Sequence, residues 1–210
     1  VRPAFNPAGV LASARDGGWL FVRTITLRAS ILLTAFVAAQ MGAAPLAAHQ
    51  VTTSLWNLLA FALDALAIAA QAIIGRHLGA SDPDRVRELT RLMVRWGIGA
   101  GIAFGLAIAA AAPWIGWLFT SDPAVHDHVR NALWVVALTQ PLSGVVFVLD
   151  GVLIGAGDGR YLAIAGVITL IAFAPLALTV HLMDASLPWL WVAFAAFMLA
   201  RGVTLSLRAR

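Results

Sequence analysis

Four ionisable residues, Arg23, Arg28, Asp64 and Asp150, stand inside segments that are otherwise apolar. Those segments are long enough to cross a bilayer, which takes about 20 residues at 1.5 Å each. A carboxylate at such depth can bind a proton or another cation, or it can hold an arginine in an ion pair. Around Asp64 the spacing is regular, because Gln50, Asn57, Asp64 and Gln71 recur every seventh residue. Seven residues make nearly two helical turns, so these side chains form one polar stripe that drifts about 20° per step. Exposing a carboxylate to lipid near mid-bilayer costs at least about 2.5 kcal/mol. The stripe therefore faces other helices or a watery cavity, as a packing seam or as a transport pathway.

Depth suggests partners. Arg28 lies about nine residues, ~14 Å, from one end of its helix, and Asp64 about ten, ~15 Å, from the same side. Both reach the middle of a core about 30 Å thick. Arg23 and Asp150 lie only ~6–8 Å deep on the same scale, and Arg23 could snorkel to the surface. The expected pairs are Arg28 with Asp64, and Arg23 with Asp150 or Gln71. Two further polar faces accompany them. Arg23, Thr26, Ser30 and Thr34 share one side of the first helix, and Gln140, Ser143 and Asp150 share one side of the fourth. Arg23, Arg28, Asn57, Asp64, Gln71, Gln140 and Asp150 are thus the candidate pathway residues. Arg23, Asn57, Asp64, Gln140 and Asp150 are expected to converge on an interior open toward a partner.

The elements that hold these residues follow from composition. The chain has 210 residues, 61% hydrophobic and only 11% charged, with a mean hydropathy of +0.88. An ordinary soluble domain is about half apolar and a quarter charged, so a soluble fold is excluded. Without cysteine there is no disulfide, zinc–thiolate site or thiol nucleophile. The net charge of +4 comes from arginine, since lysine is absent. These arginines fall between apolar segments rather than in a patch with interleaved aromatics, which argues against nucleic acid. There is no HExxH or GxSxG, and GAGDG lacks the strand and lysine of a phosphate loop, so no enzyme is expected. His126, His128 and His181 are scattered and predict no metal site, and no cofactor is implied.

Residues 1–18 read as a cytoplasmic arm or inter-lobe linker, and 19–210 as a lobe of six membrane helices. The spans are expected near 19–41, 51–74, 96–118, 132–155, 162–182 and 189–207. Residues 42–49, with Pro45, read as a turn, and Gly75 and Gly79 as helix stops. Asp82-Pro83 and Asp122-Pro123 each offer an N-cap followed by proline at the first helical position. Gly97, Gly101 and Gly105 form GxxxGxxxG, a groove for close helix packing, and Pro141 should bend the fourth span. Eleven arginines, at 2, 15, 76, 85, 87, 91, 95, 160, 201, 208 and 210, fall on one side and Arg130 alone on the other. The positive-inside rule then places both termini in the cytoplasm.

Two stretches, FALDALAIAAQAIIGRHLGA (61–80) and VLDGVLIGAGD (148–158), resemble the MATE, multidrug and toxic compound extrusion, transporters, most closely the DinF-type branch. AAPLAAHQV (43–51) is similar to the segment that precedes the first of these motifs. The resemblance implies an all-α membrane fold, one lobe of a twelve-helix transporter, and only the second lobe is matched. Where the family usually has glycine and glutamate, this chain has Ala65 and Gln71. It implies export of drugs or other organic cations across the cytoplasmic membrane in exchange for a proton or sodium. Expected partners are the lipid bilayer, a first lobe or a second copy of this lobe, and small organic cations. A non-transporting scaffold or remnant lobe, and a lipid-linked-oligosaccharide flippase of related fold, are the alternatives.

Overall fold

The computed structural model describes residues 7–209, with side chains from 14 onward except that of Asp16. Among the described residues there are six helices and no strand: α1 Pro7–Gln40, α2 Ala43–Gly79, α3 Pro83–Phe119, α4 Pro123–Gly155, α5 Gly159–Leu182 and α6 Leu187–Arg208. Each contains a stretch long and apolar enough to cross a membrane. Large apolar side chains cover the outside, among them Phe21, Leu32, Leu106, Trp114 and Leu138. Water would penalise so continuous a surface, whereas lipid solvates it.

The helix ends follow the local chemistry. Asp82 caps α3 by accepting from the Arg85 backbone N–H at 3.1 Å, and Asp122 caps α4 by accepting from Ala124 at 2.9 Å. Each is followed by proline as the first helical residue, where the missing N–H has no intrahelical partner to lose. Both arginine-rich and histidine-rich lead-ins are continuous with the spans behind them. At 37 residues each, α2 and α3 are ~55 Å long, well beyond a ~30 Å core.

Three expected boundaries shift. α1 runs unbroken from Pro7 through Gly17-Gly18, so the expected arm is helical from there on; residues 1–6 lie outside the described part. Pro45 sits in the first turn of α2, where a lost N–H costs no helical bond. Gly75 is inside α2 rather than at its end; a side chain there would press on the Gly155 carbonyl of α4.

α4 is the central helix. It packs mainly on α3 and α2 and also on α6, while α1 leans on α5 and scarcely touches α2. Glycine makes the α4 seams possible. A Cβ on Gly97 would lie 2.6 Å from the Gly144 carbonyl oxygen, so the two backbones meet directly. On the other side a Cβ on Gly151 would overlap the Ala67 backbone of α2. In lipid such close approach supplies the dispersion contacts that hold helices together. An aromatic cluster fills the space between α2, α5 and α6, with Trp56 edge-on to Phe194 at 5.2 Å and Phe173 at 5.3 Å from Phe197.

Candidate functional site

Because α1 and α2 barely meet, a cleft of about 240 Å³ opens between them, with α4 and α6 as its floor. Its polar lining is Arg23, Thr24 and Arg28 from α1, Asn57 and Asp64 from α2, Asp150 from α4 and Arg201 from α6. Trp56, Phe61, Phe194 and Phe197 supply aromatic wall. Arg28 and Phe61 are exposed, so the cleft is open at the α1–α2 face.

At the floor lies a buried triad. Asp150 pairs with Arg23 through one carboxylate oxygen and accepts from Arg201 Nη2 at 2.6 Å through the other. Asp150 is 4% exposed and Arg201 only 2%. Neither charge could sit there alone, because removing an ion from water costs several kcal/mol unless a partner offsets it. Depth gives Arg23 either Asp150 or Gln71 as partner, and the structure pairs it with Asp150. Arg201 is the residue sequence reasoning misses: its place near a helix end puts it in the arginine tally of one membrane side. The signal available was its spacing, since Arg201 and Arg208 stand two turns apart and meet Asp150 and Asp158. Arg208 Nε donates to Asp158 at 2.6 Å and its guanidinium lies over Tyr161. Tyr161 in turn donates to the Thr204 carbonyl at 2.7 Å, closing α5 onto α6.

The expected Arg28–Asp64 pair is not formed: among the described residues no carboxylate lies within 4.0 Å of Arg28. The two residues share the cleft without a direct contact. Equal depth was not sufficient, because the gap between α1 and α2 keeps them on opposite walls. Asp64 is half-buried and likewise lacks an ion-pair partner among those residues.

Two candidates fall elsewhere. Gln71 is exposed, its backbone against Gly155, because two more helical turns carry the stripe past the cleft mouth. Gln140 is 1% exposed at the α3–α4 seam, where neither amide atom has a hydrogen-bond partner among the described residues. The Thr26–Ser30–Thr34 side of α1 also turns away, packing Thr26 on Gly166 of α5. Those hydroxyls bond their own helix, Ser30 donating to the Thr26 carbonyl at 2.9 Å. Gln50 is exposed. Only the middle of the stripe, Asn57 and Asp64, reaches the cleft.

The family model MatE matches residues 20–179, more than half of the chain. The chain belongs to the MatE family. It is 29% identical to Protein DETOXIFICATION 45, chloroplastic, of Arabidopsis thaliana over 88% of this chain and 33% of that protein. It is 30% identical to the probable multidrug resistance protein NorM of Aromatoleum aromaticum over 53% of this chain and 24% of that one. Among solved structures, the Vibrio cholerae MATE transporter VcmN in the bent form superposes with a TM-score of 0.86 at 20% identity, covering 98% of this chain and 47% of VcmN. The MatE chain thus spans about a third of the length of the relatives first matched, 33% and 39%. The second of its two motifs now has physical content. In VLDGVLIGAGD, Asp150 holds the triad, Gly151 and Gly155 seat α2, and Asp158 anchors α6.

Proposed function

We propose that this MatE chain is one lobe of a two-lobe efflux transporter in the cytoplasmic membrane. The open cleft between α1 and α2 would form one wall of its substrate pathway, facing a first lobe or a second copy. The carrying observation is the cleft itself: polar and charged side chains from four helices collect at membrane depth and open at one face. Lipid there would penalise each of them, so that face calls for a partner or water. Alternating access by rocking bundles needs two such lobes around a shared site.

Coupling to a proton or sodium is the finer part of this reading, and Asp64 is the residue we assign to it. Asp150 has both oxygens engaged by arginines; among the described residues Asp64 has neither. A cation can drive a conformational change only by binding one state better than another, and an engaged carboxylate offers little difference. In the transporter that contains this chain, Asp64→Asn should abolish the dependence of dye export on a proton or sodium gradient at equal protein level. Export with unchanged dependence on both gradients would remove Asp64 from the coupling step. No export by any assembly of the chain would favour a scaffold.

A further inference from the structure

The turn between α4 and α5 reads GAGDGR, and its arginine takes no part in the cleft. Arg160 instead meets Arg15 of α1 across a separate pocket of about 200 Å³, completed by Trp19 and the bare backbone of Gly157. Both arginines are exposed, and among the described residues no carboxylate lies within 4.0 Å of either. The neighbouring Asp158 is committed to Arg208 at 2.6 Å, and α5 has no acidic residue in its first turn. Two positive charges thus share one small pocket without an anion from those residues. Trp19 orients one of them: the Arg160 guanidinium lies over its ring, 6.0 Å from the centroid, within cation–π range.

The level of the pocket says which anion it suits. The apolar stretches of α1 and α5 begin at Gly17 and Gly159, so the pocket lies where both helices enter the membrane. Lipid phosphates lie at that level, where tryptophan is enriched. Behind Arg160, on the same face of α5 by helical spacing, stand Ile164, Val167, Ile168 and Ile171, all exposed. A doubly basic pocket therefore heads an apolar stripe that faces lipid.

We propose that this pocket binds one anionic phospholipid, its phosphate between Arg15 and Arg160 and an acyl chain along the α5 stripe. Basic pockets between membrane helices suit such headgroups, and the arginine fork matches phosphate oxygens with paired, charge-assisted hydrogen bonds. A zwitterionic headgroup would bring an ammonium toward the same two guanidiniums, which selects against it. The bound lipid ties α1 to α5, and the site stands apart from the cleft and from any reading of it.

Native mass spectrometry of the full chain in detergent, titrated with phosphatidylglycerol or with phosphatidylcholine of the same acyl chains, counts retained lipids and gives their affinities. The expected result is one phosphatidylglycerol held ~10-fold more tightly than phosphatidylcholine, the scale of one charge-assisted hydrogen bond. Arg15→Gln with Arg160→Gln should erase that preference. Arg91→Gln with Arg95→Gln, which removes the same charge from an exposed face of α3, should keep it. All four side chains are exposed, so both double variants should keep the thermal midpoint measured with phosphatidylcholine. Equal loss of preference in the two double variants would mean diffuse attraction to basic surface and overturns the site, as does equal retention of the two lipids. Displacement of phosphatidylglycerol by millimolar inorganic phosphate would assign the pocket to a soluble anion and overturns the lipid.

Discussion

Arg201 Nη2 lies 2.6 Å from Asp150 Oδ1, with both side chains almost wholly buried and Arg23 on the other carboxylate oxygen. One aspartate therefore joins α1, α4 and α6 at the floor of the cleft. The triad fixes the relative positions of the helices that carry the cleft's charge.

Asp150→Asn would leave two buried guanidiniums without a counter-charge. Breaking a buried pair from one side costs on the order of 3–5 kcal/mol, and the folded yield should fall accordingly. Arg201→Gln should cost less, because Asp150 keeps Arg23. Monodisperse yield and thermal midpoint in detergent report both; equal loss in the two variants would mean Arg23 contributes nothing to the floor.

Gly97→Ala should destabilise the α3–α4 seam by about 1–3 kcal/mol, the usual cost of overpacking, because its Cβ would lie 2.6 Å from the Gly144 carbonyl oxygen. Gly99, two residues on, has open space where a Cβ would stand, and Gly99→Ala should be neutral or stabilising by up to about 1 kcal/mol, the helix preference of alanine over glycine. Thermal midpoints of the two variants make the comparison, and a tolerated Gly97→Ala would show that the seam can open without cost.

Gln140 is buried, and among the described residues both its amide atoms are unpartnered. Replacing an unsatisfied polar group by an apolar one of similar size is nearly neutral or stabilising. Gln140→Met should therefore keep the thermal midpoint or raise it. A clear drop would show that the amide has a partner in the working protein.

Much of this organisation is legible in the sequence, and the reasons for the rest are physical. Six spans and the Asp82 and Asp122 caps follow from hydropathy and capping, and depth narrows the partner of Arg23 to Asp150 or Gln71. Helix length is less legible where no cap marks the start: α1 begins at Pro7, inside the expected arm, whereas Asp82-Pro83 already sets the start of α3 ahead of its apolar span. Facing is least legible. A period of seven keeps Gln50, Asn57, Asp64 and Gln71 aligned on α2, yet which part of the stripe meets a neighbour depends on where α1 separates from it. Arg201 was hidden because nearness to a helix end resembles a membrane-side arginine, whereas α6 turns it inward onto α4.

With Arg201 in the triad, the described part of the tally still runs heavily to one side, with Arg15, Arg76, Arg85, Arg87, Arg91, Arg95, Arg160 and Arg208 against Arg130; Arg2 and Arg210 lie outside it. Cysteines introduced at His126 and Arg160 should be labelled from opposite sides of the membrane, His126→Cys from outside and Arg160→Cys from the cytoplasm. Labelling of both from outside would contradict the orientation with cytoplasmic termini.

The cleft as a hydrated pathway is tested most directly in the same cysteine-free background. Asn57 lines the cleft, while its neighbour Leu58 is 64% exposed on the apolar outside. In the two-lobe assembly proposed above, Asn57→Cys should react rapidly with a charged, membrane-impermeant thiol reagent and Leu58→Cys should not. Fast labelling at Leu58 with none at Asn57, or equal rates at both, would contradict a watery cleft between α1 and α2.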